Sequence, residues 1–363
     1  MNNLYQKSTL INQKDIQEYI THLQDNKTII INNGHHFVFT TQLFNIQEMY
    51  SILALKNEED KDTLDDTPIC LCKGFYDSSI SLELTPKESS IYTMLIKKFW
   101  PGSLHICVRA KSFVDSIITN KEGFVIMNAP TDRYIQKLLE KTNMPLVSFL
   151  TRKKGSLPLL HESQVERNYS HATIPILNKR MPNNMLDGID STTIMIQDDT
   201  ITLMKRGALS FDEIKDQLTS YSNEDIRFKI NIYEQPVFTN IKPVYTLRLM
   251  DLDIHTIKES IISELQQKTK LMIEKVVLVD FNQTHLQYKD NFYGYVDLSE
   301  KGDIQEYIQN VYSVLHTIMK CECTKIYMTD IHLIAKHEYQ YIQDIIESIT
   351  KKEQMIIPLQ FLR

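Results

Sequence analysis

Apolar residues recur at Ile16, Ile20 and Leu23, the spacing of one helix face, so a helix is predicted over 15–24. The run Thr28-Ile29-Ile30-Ile31 follows as a buried strand closed by Asn33-Gly34, and a second strand is predicted at 37–40. Short apolar runs at 68–72 and 104–108 predict further strands. Between them, 90–99 reads as a helix stopped by Trp100-Pro101-Gly102, because proline cannot continue the hydrogen-bond ladder. Strands at 124–127, 146–149, 192–196 and 201–204 continue the series, with a helix at 134–141 between the first two.

The pattern changes after Leu218. Residues 219–243 are polar, lack helical period and contain Pro236 and Pro243, so they are read as a linker between a domain at 1–218 and a second at 244–363. The second domain shows helical spacing at 254–267, a buried strand at 276–281, and an amphipathic helix at 304–320. That helix places Ile304, Ile308, Val311, Leu315 and Ile318 on one face. Asp303 with Glu306 three residues on has the capping-box pattern that starts such a helix. A strand at 325–328 and a helix at 339–350 complete an alternation that implies a small parallel sheet.

At 363 residues the chain exceeds the soft limit of one domain, and 42% apolar with 24% charged residues is ordinary globular composition. A net charge of -6 gives no global attraction to a polyanion, so nucleic-acid binding would need a locally basic groove. The polar N-terminus without an apolar core segment, and the lack of a long apolar run, predict a cytoplasmic protein with no membrane partner. Cys70, Cys72, Cys107, Cys321 and Cys323 then read as reduced, buried thiols. Their two C-x-C pairs lack the spacing and partner histidines of a zinc site, so no metal is expected.

One segment is specific. Phe99-Trp100-Pro101-Gly102-Ser103-Leu104 resembles the F-W-P-G-P-L-T segment of the YrdC-like L-threonylcarbamoyladenylate synthase family, and other landmarks of that family stand in order around it. Residues 39–46 resemble P-T-E-T-x-Y-G-L, 52–59 resemble I-Y-x-x-K-G-R-P, and 66–69 resemble D-N-P-L. Downstream, 124–130 resemble V-A-V-R-x-P and 145–155 resemble P-x-x-x-P-S-A-N-x-S-G. Residues 187–192 resemble G-G-x-E-S-T, and 203–209 resemble I-L-R-P-G-A-I. Gly302-Asp303 opening a long helix resembles the C-terminal domain of the longer, Sua-type members. The resemblance implies an α/β protein: a twisted mixed sheet flanked by helices, plus a smaller parallel, Rossmann-like domain.

The family reaction joins threonine, bicarbonate and ATP, with magnesium, into threonylcarbamoyl-adenylate for tRNA modification. It needs cations on the polyphosphate and polar groups around the carboxylated amino acid. The resemblance puts Thr40, Lys56, Arg152, Lys154, Ser191, Thr192 and Lys205 in the cleft. It also exposes departures. Glu58 and Asn128 stand where the family has arginines, Leu150 and Arg152 replace the serine and asparagine of S-A-N, and Gln42 and Phe44 replace a threonine and a tyrosine. Lys205 keeps a charge but not an arginine's bidentate fork.

Each position also has a plainer reading. Lys56 beside Glu58 and Glu59 fits a solvated helix end, Arg152-Lys153-Lys154 a solvated loop, and His35-His36 an ordinary turn. His105 fits a structural role at a strand start, and Ser191 has no nucleophile context. The sequence therefore predicts an inactive relative that binds a nucleotide, RNA or proteins of the tRNA-modification machinery. The alternative is an active adenylate-forming enzyme using ATP and magnesium, with Arg152 and Lys154 replacing the lost cations.

Overall fold

The computed structural model describes residues 16–33, 36–56, 67–177, 190–221, 226–232, 241–250, 271, 274–329, 345–347, 349–350 and 354–358. By its internal contacts the chain divides into two compact units, 1–154 with 158–234 and 155–157 with 235–363. Glu58, Asp66, Gly34, His35, residues 187–189 and the predicted helix 254–267 lie outside the described residues, as does most of 339–350. No described helix is long and apolar enough to cross a membrane.

The first unit opens with α1 (Ile16–Gln24), whose buried residues are Ile16, Ile20 and Leu23. Then come β1 (Ile29–Asn32), β2 (Phe37–Gln42), α2 (Ile46–Lys56), β3 (Ile69–Leu71), α3 (Phe75–Ser79) and α4 (Pro86–Phe99). Thr85 caps α4 by accepting from the Glu88 backbone, and Glu88 accepts from the Thr85 backbone in return, with Pro86 in the first turn. β4 (Leu104–Arg109), β5 (Phe124–Asn128), α5 (Arg133–Thr142), β6 (Leu146–Leu150), α6 (Glu162–Asn168) and β7 (Ile176–Leu177) follow. The unit closes with β8 (Thr192–Gln197), β9 (Thr200–Lys205), α7 (Phe211–Tyr221) and β10 (Arg227–Ile230).

These strands form one ten-stranded mixed sheet in the order β10-β9-β8-β4-β5-β3-β6-β2-β1-β7. Alternation sends Phe39, Phe149, Val125 and Ile106 to one face, where they join Met49 and Ile52 of α2, Tyr92 and Leu95 of α4, and Ile214 and Leu218 of α7. Val38, Leu71 and Leu146 point to the other face and meet α1 and α5. Beyond those two helices the same face carries a smaller buried cluster of Cys107, Phe124, Ile126 and Met204. The polar stretch read as linker begins differently. Arg227–Ile230 pair in parallel with β9, and Arg227 Nε donates to Asp199 Oδ1 at 2.9 Å. This edge strand is mostly exposed, so it carries no apolar run for a sequence reading to find.

The second unit is a five-stranded sheet of β11 (Val244–Met250), β12 (Val276–Asp280), β13 (Gly294–Asp297), β14 (Lys325–Thr329) and β15 (Gln354–Pro358). Their order is β13-β12-β14-β11-β15, with every pairing parallel. Helix α8 (Ile304–Lys320) starts where Asp303 Oδ1 accepts from the Glu306 backbone at 3.0 Å, and it buries Ile308, Val311, Leu315 and Ile318. At the end of β12, Asp280 is fully buried. Its carboxylate accepts from the His285 backbone at 2.7 Å, the Thr329 hydroxyl at 2.6 Å and the Tyr295 hydroxyl at 2.8 Å, and faces His285 Nδ1 at 3.1 Å.

Burial alone would raise the Asp280 pKa, but the hydrogen bonds from His285, Thr329 and the backbone outweigh it and hold the carboxyl below its ordinary value. A depressed folded pKa gives stability that is whole above the unfolded value, about 3.9, and is lost as pH falls through the folded value. The resistance of the second unit to urea is therefore expected to fall below about pH 4. Asp280→Asn should flatten that acid limb, which unfolding midpoints at a series of pH values would read.

Candidate nucleotide site

The turn between α4 and β4 is the most constrained piece of backbone in the first unit. A Cβ on Gly102 would stand 2.1 Å from the Phe99 carbonyl oxygen, so glycine is required there by close approach. Trp100 Nε1 donates to the Leu104 carbonyl at 2.7 Å, Gly102 N donates to Ala129 O at 2.9 Å, and Thr192 N donates to Ser103 O at 3.0 Å. Asn128, 5% exposed at the end of β5, sends its side-chain nitrogen to Gly102 O at 3.0 Å and Leu104 O at 3.1 Å. Asn128 thus braces the turn.

A second close approach lies beside it. A Cβ on Gly207 would sit 2.3 Å from Asp190 O and 2.4 Å from Thr192 N, so the chain leaving β9 crosses the start of β8 in direct backbone contact. The Thr192 hydroxyl locks that crossing, donating to Leu209 O at 2.5 Å and accepting from Leu209 N at 3.1 Å. Lys205 Nζ meets Asp190 Oδ2 at 3.0 Å, and Ser191, just before β8, is half-buried. Thr192, Lys205 and Asn128 are therefore gathered at one end of the sheet, and their polar atoms face the protein's own backbone and Asp190.

Thr40 lies elsewhere. It is fully buried on β2, and its hydroxyl is 3.3 Å from that of Ser148 on β6, on the face that carries Ile126 and Cys107. Arg152 follows the carboxyl end of β6. The register sets Leu71 against both Asn128 and Leu146, so Arg152 and Asn128 belong to opposite ends of the strands. Lys56 ends α2 and is 6% exposed, and Arg152 is 5% exposed, with Nη2 among the buried atoms that meet no acceptor. Neither cation is the solvated side chain that its neighbours in sequence suggested. Lys153 is half-buried and Lys154 is exposed.

Gln42, Phe44 and Leu150 make structural contacts of their own. Gln42 Nε2 donates to Leu23 O at 2.7 Å, tying β2 to α1, while Phe44 is 46% exposed and leans toward the Phe113 ring at 6.5 Å between centroids. Leu150 packs against the cluster under α1 and α5. His105 is half-buried on β4, and His36 N closes the β1–β2 turn on Asn33 Oδ1 at 3.1 Å. Burial, then Glu122, push the Cys107 thiol up to about 12, which leaves it protonated and a poor nucleophile at neutral pH. Cys70, Cys72 and Cys323 are also buried, and Cys321 is exposed. Two residues of this region have weak sequence signals: Ser148, a lone hydroxyl in an apolar strand, and Asp190, in the polar approach to β8.

Comparison with known proteins places this geometry. The family model Sua5_yciO_yrdC, described as "Telomere recombination", matches residues 21–207. The structure of P. abyssi Sua5 complexed with L-threonine superposes with a TM-score of 0.69 at 16% identity, covering 95% of this chain and 98% of that one. A double-alanine variant of the same P. abyssi protein gives 0.69 and 16%, covering 96% of each chain. No curated protein matches the chain. At this identity the superpositions establish the two-domain fold.

The brace predicts two stability effects. Asn128→Ala leaves the Gly102 carbonyl without its side-chain donor and removes one of the two donors on the Leu104 carbonyl, and is expected to destabilise the first unit by about 1–3 kcal/mol. Gly207→Ala drives a methyl into backbone that cannot rotate away and is expected to destabilise by about 3 kcal/mol. Urea midpoints at constant slope measure both.

Proposed function

Because the chain belongs to the Sua5/YciO/YrdC family, we propose that it is a non-catalytic member that keeps a nucleotide pocket and acts as a nucleotide- or RNA-binding regulatory protein. The observation that carries this reading is Asn128. Where the family reaction uses a cation on the central strand, this chain has a neutral amide committed to Gly102 O and Leu104 O. Lys205, in place of another arginine, is paired with Asp190. Losing one preorganised charge at a developing anion lowers a rate by about two to three powers of ten, so two such changes suffice to silence the reaction while the fold stands.

Binding is a lesser demand than catalysis. Lys56 and Arg152 are buried cations that suit a nucleotide's phosphates, and the buried Thr40 and Ser148 hydroxyls add polar groups on the sheet. A bound nucleotide would bring its own magnesium, which keeps most of its ligands from phosphate and water. The two buried cations also favour the second reading, an active threonylcarbamoyl-AMP-forming enzyme. The L-threonine found with the P. abyssi protein makes threonine the amino acid to test. Proteins of the tRNA-modification machinery and tRNA itself are the partners the family suggests.

Isothermal titration of the full chain with magnesium-ATP is expected to give saturable binding. Lys56→Met and Arg152→Met, which keep the apolar stems, are each expected to weaken it by about tenfold, or 1.4 kcal/mol. Absence of heat with ATP, AMP and tRNA alike would reduce the protein to a scaffold.

A further inference from the structure

The second unit carries a site that its topology and one side-chain cluster mark together. From β12 the chain moves to β13 on one side of the sheet, whereas from β14 it moves to β15 on the other, with β12 and β14 adjacent. In open parallel sheets the connections diverge at such a point and leave a crevice at the carboxyl ends of the strands, where ligands bind. Asp280 ends β12 and Thr329 ends β14, and their 2.6 Å hydrogen bond spans that point.

His285 stands over this bond. Its Nδ1 is 3.1 Å from both Asp280 Oδ1 and Thr329 Oγ1. An ionised carboxylate only accepts, so Nδ1 carries the proton and donates to it, and in that tautomer Nε2 is the ring's acceptor. Among the described residues Nε2 has no hydrogen bond and is not one of the fully buried unpartnered atoms. The Tyr295 hydroxyl bridges Asp280 at 2.8 Å to Asp297 at 3.3 Å, and half-buried Asp297 also accepts from Gln283 N at 2.7 Å and Ser299 N at 2.8 Å. The groups at this edge are thus mainly acceptors. They favour a ligand rich in hydroxyl donors and disfavour phosphate.

We propose that the carboxyl edge of β12 and β14 binds a nucleoside through its ribose hydroxyls, with His285 Nε2 as the contacting acceptor and Asp280 and Thr329 as the residues that position it. The site is independent of the chemistry proposed for the first unit.

The test is nitrogen NMR of the histidine rings in the full-length protein, titrated with adenosine, which lacks phosphate. His285→Asn supplies the assignment, because the asparagine amide nitrogen takes the place of Nδ1 and keeps the donor to Asp280 while removing Nε2. If that variant does not fold, His285→Gln identifies the same signal. The His285 Nε2 signal is expected to shift saturably with adenosine, and binding by the substituted protein at this site to weaken at least tenfold. A His285 signal that stays in place at millimolar adenosine, whatever other histidines do, overturns the proposal.

Discussion

The backbone contact at Gly102 is the constraint on which the first unit depends. With no room for a Cβ against Phe99 O, the chain turns at once from α4 into β4, and β4 lies between β5 and β8 at the centre of the sheet. Three neighbours hold the turn: the Trp100 indole, the Asn128 amide and the start of β8. The crossing at Gly207 repeats the device one strand further along, with the Thr192 hydroxyl as its bolt. Side chains with such backbone duties are kept by folding itself. Their presence in a chain says nothing about a reaction.

That separation lets a fold stand on contacts that take no part in any reaction. Asn128 donates to the Gly102 carbonyl and shares the Leu104 carbonyl with the Trp100 indole, a service worth about 1–3 kcal/mol to the fold whatever the cleft does. Lys205 is neutralised by Asp190, and Gln42 has become a tie between β2 and α1. Lys56 and Arg152, both buried in the first unit, are the cations proposed to meet an anion. The second unit solves a different electrostatic problem: a fully buried carboxylate, Asp280, stays charged because four donors from β13, β14 and the loop after β12 converge on it.

Much of this was legible in the sequence. The apolar runs of β1, β2, β4, β5, β6, β8 and β9 and the stripes of α1, α4 and α8 announced themselves, and the ordered landmarks around Trp100-Pro101-Gly102 pointed to the family. Strands β7, β10 and β15 did not, being very short, exposed at an edge or isolated in the C-terminal stretch. Burial of Lys56 and Arg152 was hidden because charge in a sequence reads as solvated until its surroundings are known. The role of Asn128 was also hidden, since only the fold brings it to Gly102. Glu58, the sharpest departure from the resemblance in sequence, lies outside the described residues, so the proposed loss of catalysis is argued from Asn128 and Lys205.

The central claim is that the pocket binds without turning over. Purified protein incubated with ATP, magnesium, bicarbonate and threonine should release pyrophosphate no faster than a heat-denatured control. Sustained release above that control, abolished by omitting threonine, would contradict the account and restore the protein to the ranks of the active enzymes.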